Sequence, residues 1–196
     1  VIVLCVFAAY LIGSISSSTI VSRQFAHLDI REHGSGNAGA TNTLRVLGWK
    51  WAVVVLCADI AKGILAVLLA QALGHGTFLY VAMAGLAVIA GHNWPAFFGF
   101  RGGKGVATTM GVMVMVLLVP ALLAGALSIL IVVLSRYVSL GALVFVVLTS
   151  LFAFILHYPL SEGIWAGVIA LLTIYRHRKN ISRLFRGHEN KIFAHR

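Results

Sequence analysis

The chain has 196 residues, 60% of them hydrophobic and 10% charged, with a formal net charge of +10. That apolar share exceeds what a soluble domain of this length needs, and it argues against a separate soluble domain beside the apolar runs. The cations could suit nucleic acid, but they cluster next to apolar segments, the pattern of a surface facing anionic lipid, so no nucleic-acid partner is expected.

In chain order, the first apolar run covers residues 1–22. It has neither a basic start nor a small-residue cleavage site, which predicts a retained helix rather than a signal peptide. Cys5 and Cys57 both lie in apolar runs, without metal-ligand or disulfide spacing, and read as core or lipid-facing side chains. His27 and His33 precede a polar stretch and read as surface residues. The stretch itself, Gly34-Ser35-Gly36-Asn37-Ala38-Gly39-Ala40-Thr41-Asn42, stands out against its apolar surroundings. Glycines let a backbone bend sharply and approach a ligand closely. Exposed N–H groups ahead of a helix make an anion site. Arg45, three residues on, is a fixed cation suited to phosphate oxygens. The alternative is a flexible linker, against which Asn37, Thr41, Asn42 and Arg45 argue. Gly34-x-Gly36-x-x-Gly39 formally matches a dinucleotide fingerprint, but no βαβ unit surrounds it.

Residues 44–72 form the second apolar run, with Asp59 and Lys62 inside it. Charges at that depth are costly unless paired or functional, and three-residue spacing lets these two pair on one helix face, so a structural role is expected. A third run, 77–98, leads into a second polar motif over 91–109. Here His92-Asn93-Trp94-Pro95 precedes Phe100-Arg101-Gly102-Gly103-Lys104-Gly105. A helix starting near Val106 would aim backbone N–H groups at an anion, with Lys104 as a point charge. It is not a Walker A loop, since Gly105 stands where Ser or Thr is required. Trp94, Phe97, Phe98 and Phe100 read as interfacial aromatics, and the competing role for Lys104 is a snorkelling lysine.

Residues 106–135 read as one helix would reach ~45 Å, enough to cross core and headgroups, whereas Pro120 with Gly125 allows a break into two shorter helices, 106–119 and 121–135. Runs at 138–156 and 160–175 follow. Counted this way, about seven spans place every Lys and Arg except Lys62 on one face, whereas six would send the basic tail to the other. The expectation is therefore an all-α, polytopic integral membrane protein of about seven transmembrane helices, residues 1–196 forming one membrane-embedded domain. Its N-terminus is expected outside and its C-terminus in the cytoplasm. In the tail, 177–191, His177, Asn180, Ile181 and Leu184 share a helical face, with Arg178, Lys179 and Arg186 off it. Those three cations suit a helix lying on the membrane surface, whereas His177 and Asn180 could reach a site. Glu189, the tail's one acid, is expected to pair locally with Arg or Lys.

These three polar motifs resemble the bacterial acyl-phosphate:glycerol-3-phosphate acyltransferases, the PlsY family. The match is carried by Gly34–Asn42 with Arg45, by Gly91-His92 with Gly102-Gly103-Lys104-Gly105 and Ala107-Thr108, and by His177-x-x-Asn180-Ile181-x-Arg183-Leu184 with Gly187-x-Glu189-x-Lys191. Asp59-x-x-Lys62-Gly63 is also similar to the family. The resemblance spans essentially the whole chain. It implies transfer of a fatty acyl group from acyl phosphate to the 1-hydroxyl of sn-glycerol 3-phosphate, giving 1-acyl-glycerol 3-phosphate (lysophosphatidate) and phosphate. It also implies a bacterial plasma (inner) membrane location, with the site facing the cytoplasm.

On that basis Ser35, Arg45, Lys104, His177 and Asn180 are the expected catalytic residues. Gly36, Asn37, Ala38, Gly39, Ala40, Thr41, Asn42, Gly102, Gly103, Gly105 and Lys191 are expected to bind substrate, and Asp59, Lys62 and Glu189 to be structural. No histidine has Asp five residues on, so no His-Asp dyad and no acyl-enzyme are expected. Acyl phosphate is already activated, and direct attack needs mainly orientation and charge stabilisation. The proton could pass to a substrate phosphate or to His177. No metal-ligand cluster is evident, so neither metal nor cofactor is expected. The expected partners are the two substrates and membrane lipid, with no obligate protein partner indicated. The rival readings are a small transporter of phosphorylated solutes, favoured only by Asp59 and Lys62, and a lipid-binding scaffold, which leaves three polar motifs unexplained.

Overall fold

The structure, a computed structural model, describes residues 1–192. Every regular element among them is helical. That follows from composition: long Val, Leu, Ile and Ala runs in lipid can satisfy their backbone groups only within the segment itself. The chain divides into two compact units, Val1–Met115 and Val116–Arg196.

The first unit holds α1 (Ile2–Ser14), α2 (Ser17–Ala26), α3 (Ala40–Leu47), α4 (Trp49–Leu73), α5 (Phe78–Asn93) and nearly all of α6 (Val106–Val116). The predicted first run is real but interrupted. Ile15 is extended, and Ser16 caps a second helix, so the apolar stretch Ile2–Ala26 is built of two pieces. A second break separates α3 from α4 at Gly48, whose φ of 87° favours glycine. Small residues let these helices approach. A Cβ on Gly13 would overlap the Val88 carbonyl, and one on Gly91 the Tyr10 carbonyl, so α1 and α5 meet backbone to backbone. Gly63 and Gly111 do the same for α4 and α6, against the carbonyls of Thr108 and Ile60. Cys5 is buried and Cys57 exposed, the two expected outcomes for cysteines in apolar runs.

The second unit holds α7 (Leu118–Ser135), α8 (Val138–Ile155), α9 (Leu160–Arg176) and α10 (Arg178–Phe185). Residues 106–135 do split, but at Leu117, not at Pro120. Pro120 falls in the first turn of α7, where a missing N–H costs nothing. Gly141 lets α8 close on Val132 and Ser128 of α7, and Gly163 lies against the Phe154 ring of α8.

Among the described residues, five segments are long and apolar enough to cross a membrane: Ile2–Ala26, Trp49–Leu73, Phe78–Phe98, Leu118–Ser135 and Val138–Ile155. At 11 residues, α6 spans only ~17 Å, and α9 has 17 residues.

Candidate active site

The first polar motif is shaped from within. Asp29 caps the 3₁₀ turn Ile30–Glu32, its Oδ1 accepting the Arg31 N–H at 3.0 Å. The Arg31 guanidinium grips the same carboxylate, Nε at 2.8 Å from Oδ1 and Nη2 at 2.6 Å from Oδ2. Its remaining Nη1 donates to the Phe98 carbonyl at 2.6 Å, tying this segment to the second motif. The Arg31 hydrogen bonds hold the Asp29 carboxyl well below the usual carboxylate range, against a desolvation that pushes it up.

Asn42, 1% exposed, is the hub of the loop. Its Oδ1 accepts the Ser35 N–H at 2.8 Å, and its Nδ2 donates to the carbonyls of Ile30 (3.1 Å) and His33 (2.9 Å). The side chain is thereby occupied in holding the loop. Gly34 and Gly36 have φ of 61° and 70°, the left-handed region, and a Cβ on Gly34 would overlap Asn42 Oδ1. Several N–H groups are spent inside the loop, those of Ser35, Gly36 and Gly39 among them. Asn42 and Thr43 both donate to the Gly39 carbonyl, so Ala40 and Thr41 open α3 with N–H groups that have no acceptor inside the helix. Ser35 and Arg45 are exposed.

The second motif packs against the first. The Gly103 N–H donates to the His92 carbonyl at 3.1 Å. A Cβ on Gly103 would overlap both His92 Nε2 and the Ala38 carbonyl, so Gly103 lies between the imidazole and the first motif. Gly102 is equally confined, by the His92 carbonyl and the Pro95 ring. Gly105, φ 77°, lies against Asn93 Oδ1 and turns the chain into α6. Asn93 is fully buried, and neither amide atom has a hydrogen-bond partner among the described residues. Lys104 is half-buried. The structure thus brings the 34–42 and 102–105 segments together within one unit.

In the same unit Asp59 and Lys62 form the expected i,i+3 ion pair at 2.8 Å. The sequence did not reveal what joins it. Ser17 Oγ donates to Asp59 Oδ1 at 3.0 Å, Lys62 Nζ donates to the Ile15 carbonyl at 3.0 Å, and His92 Nδ1 lies 3.6 Å from Asp59 Oδ1.

The third motif belongs to the second unit. His177 ends α9 buried, its Nδ1 2.8 Å from the Thr173 carbonyl. A carbonyl only accepts, so in the neutral imidazole Nδ1 carries the proton and Nε2 is the basic nitrogen. Asn180, 5% exposed, donates to Glu189 Oε1 at 2.6 Å. Glu189 also accepts from Ser139 Oγ on α8 (2.9 Å) and from Arg183 Nε (2.7 Å). Desolvation pushes the Glu189 carboxyl up, but the bonds from Arg183, Asn180 and Ser139 outweigh it, and its pKa lies below the ordinary value. The local pairing predicted for Glu189 is therefore present in Arg183, and Ser139 is a partner the sequence did not suggest. Arg178, Lys179 and Arg186 are exposed, as the helical face implies. Lys191 holds its ammonium 5.6 Å from the centre of the Tyr137 ring.

A family model described as glycerol-3-phosphate acyltransferase matches residues 3–187. The glycerol-3-phosphate acyltransferase of Shouchella clausii is 53% identical over 192 residues, 95% of this chain and 94% of the relative. That of Halalkalibacterium halodurans is 50% identical over 194 residues, covering 96% and 94%. Among solved structures, PlsY (YgiH), an integral membrane glycerol 3-phosphate acyltransferase in its glycerol 3-phosphate form, superposes with a TM-score of 0.91 at 40% identity. The match covers 97% of this chain and 95% of that one. The lysophosphatidic acid form of PlsY gives 0.88 at 39% identity.

Proposed function

Because the chain belongs to the glycerol-3-phosphate acyltransferase family, of the PlsY type, we propose which donor it uses, how the acyl group moves and which residues carry the step. The protein is a membrane-embedded acyltransferase that acylates glycerol 3-phosphate to lysophosphatidate. The donor in our reading is acyl phosphate. The 1-hydroxyl oxygen of glycerol 3-phosphate bonds to the acyl carbon, the bond from that carbon to the phosphate oxygen breaks, and inorganic phosphate leaves. The hydroxyl proton passes to a substrate phosphate or to His177 Nε2.

One observation carries this reading. Two glycine-rich segments meet at Gly103 and Ala38, and each leads into a helix and brings a cation, Arg45 or Lys104. Two phosphorylated substrates need two such cradles, and each segment offers a helix N-terminus and a cation, Lys104 just ahead of α6 and Arg45 within α3. Ser35, Gly36, Asn37, Ala38, Gly39, Ala40 and Thr41 face the acyl phosphate in this scheme, with Asn42 shaping their loop. Gly102, Gly103 and Gly105 support Lys104, which with Arg45 neutralises the phosphates and the developing oxyanion. His177 and Asn180 orient glycerol 3-phosphate, and Lys191 adds a cation for it. The whole chain serves as one acyltransferase domain. It crosses about seven times, α6 being the short crossing, with the cationic motifs at the cytoplasmic face of a bacterial inner membrane.

The test is phosphate release by purified protein given palmitoyl phosphate and glycerol 3-phosphate, beside a reaction with palmitoyl-CoA. Phosphate and lysophosphatidate are expected only with the acyl phosphate, and product from palmitoyl-CoA alone overturns the donor. Trapping a stable thioester on Ser35→Cys protein, or ping-pong kinetics, overturns direct transfer.

A further inference from the structure

Asp59, Lys62 and His92 take no part in the transfer as described, yet they form the most deeply buried charged group of the first unit. Asp59 is 1% and Lys62 5% exposed. One oxygen, Asp59 Oδ1, faces Ser17 of α2, Lys62 of α4 and His92 of α5. A tie between α1, α2 and α4 alone would be complete with Lys62 on the Ile15 carbonyl and Ser17 on Asp59. A buried ion pair is also a poor source of stability compared with apolar residues of the same volume, so its presence calls for another reason.

The reason lies at the other edge of the imidazole. The Nδ1 edge of His92 is at Asp59, while its Nε2 edge abuts Gly103 and its own carbonyl accepts the Gly103 N–H. Gly103 in turn rests on the Ala38 carbonyl. A ring with a carboxylate oxygen 3.6 Å from one edge and a backbone against the other acts as a spacer. We infer that Asp59, Lys62 and His92 are positioning residues, with His92 setting the separation between the Ala38 and Gly103 backbones and hence the placement of Lys104, the next residue. This rests on the reading of the two segments as substrate cradles.

Two variants test it. Asp59→Asn/Lys62→Met removes both charges at nearly constant volume, so no single charge is left buried. His92→Phe keeps a ring without the Asp59 contact. Each is compared with the unaltered protein by amide hydrogen exchange over residues 101–105, by kcat and KM for both substrates, and by thermal unfolding in detergent. We expect exchange at 101–105 to rise at least ~10-fold and kcat to fall at least ~10-fold, since sub-ångström misplacement of reacting groups is that costly. KM should change less than kcat, and unfolding temperatures should stay within about 3 °C. A folded double variant with unaltered exchange at 101–105, or with unaltered kcat, overturns the inference. Should the double variant not fold, His92→Phe decides on the same two readings. Inactivity of the unaltered protein towards glycerol 3-phosphate would refute the function, while exchange at 101–105, which needs no substrate, still decides whether the buried set holds the loop.

Discussion

Replacing Glu189 by alanine removes the acceptor for three donors at once. Two of them, Asn180 Nδ2 and Ser139 Oγ, belong to side chains buried to 5% and 8% exposure. Hydrogen bonds to a charged acceptor contribute about 1.5–3 kcal/mol each. The third donor, Arg183, is 39% exposed and can turn to water, so its share is about 0.5 kcal/mol. The expected loss is about 4 kcal/mol, which for a chain of this size lowers the unfolding temperature by roughly 10 °C. Glu189→Gln keeps the acceptor for Asn180 and Ser139 but loses the charge that Arg183 faces, and should cost about 1–2 kcal/mol. Thermal unfolding of purified protein in detergent, followed by fluorescence, ranks the three proteins. Steady-state turnover should fall in the same order, because Asn180 loses the anchor that orients it. A Glu189→Ala protein that melts within about 2 °C of the unaltered chain would refute the reasoning, since the donors would then rehydrate at no cost.

Further expectations concern the two segments proposed as substrate cradles. Arg45→Ala and Lys104→Ala should each lower kcat/KM by about 100-fold or more, through lost charge stabilisation in the transition state. Near-normal turnover by Lys104→Ala protein would make that residue a snorkelling lysine. Asn42→Asp should be worse than Asn42→Ala in kcat/KM despite its shape, because an acceptor oxygen would replace the amide that donates to two carbonyls. Equal activities would show that those bonds are dispensable. Asp29 and Glu189 are both held below their ordinary values, so their stabilisation is complete above the unfolded-chain pKa of about 4 and is lost as pH falls through the folded values. Unfolding temperature measured from pH 8 to pH 3 should therefore be flat above about pH 5 and decline below it, and a rise on acidification would contradict the assigned partners.

Hydropathy made the apolar runs readable, and glycine spacing marked the two glycine-rich segments that the structure brings together, because both signals are local in sequence. Asp59 and Lys62 were legible as a pair for the same reason, being one helical turn apart. What escaped was the interruption at Ile15–Ser16, the glycine break at Gly48 and the start of α7 at Leu118. Each break occupies one or two residues inside an apolar stretch, where a hydropathy window averages it away. Pro120 misled, since proline in a first turn and proline at a helix break look alike in sequence. The roles of His92 and Ser139 were hidden for a different reason. His92 meets Asp59 and Gly103, and Ser139 meets Glu189, across sequence separations that carry no periodic signal. Asn42 was legible as a polar residue expected to bind substrate, but only the hydrogen bonds show its side chain shaping the loop.

The i,i+3 placement of Asp59 and Lys62 bears on biogenesis. A lone carboxylate or ammonium at the centre of a nascent span opposes its partition into lipid by about 2.5–3.5 kcal/mol. Two opposite charges one turn apart can meet as soon as α4 coils, so the segment can leave the translocation machinery with its charges already neutralised. Ser17 and Ile15 have been synthesised by then, whereas His92 has not. The pair can therefore first ease α4 into the bilayer, and only later, once α5 docks, receive the imidazole. A swap of order within α4, Asp59→Lys with Lys62→Asp, would keep that early neutralisation and insertion while presenting the wrong sign to His92, Ser17 and the Ile15 carbonyl.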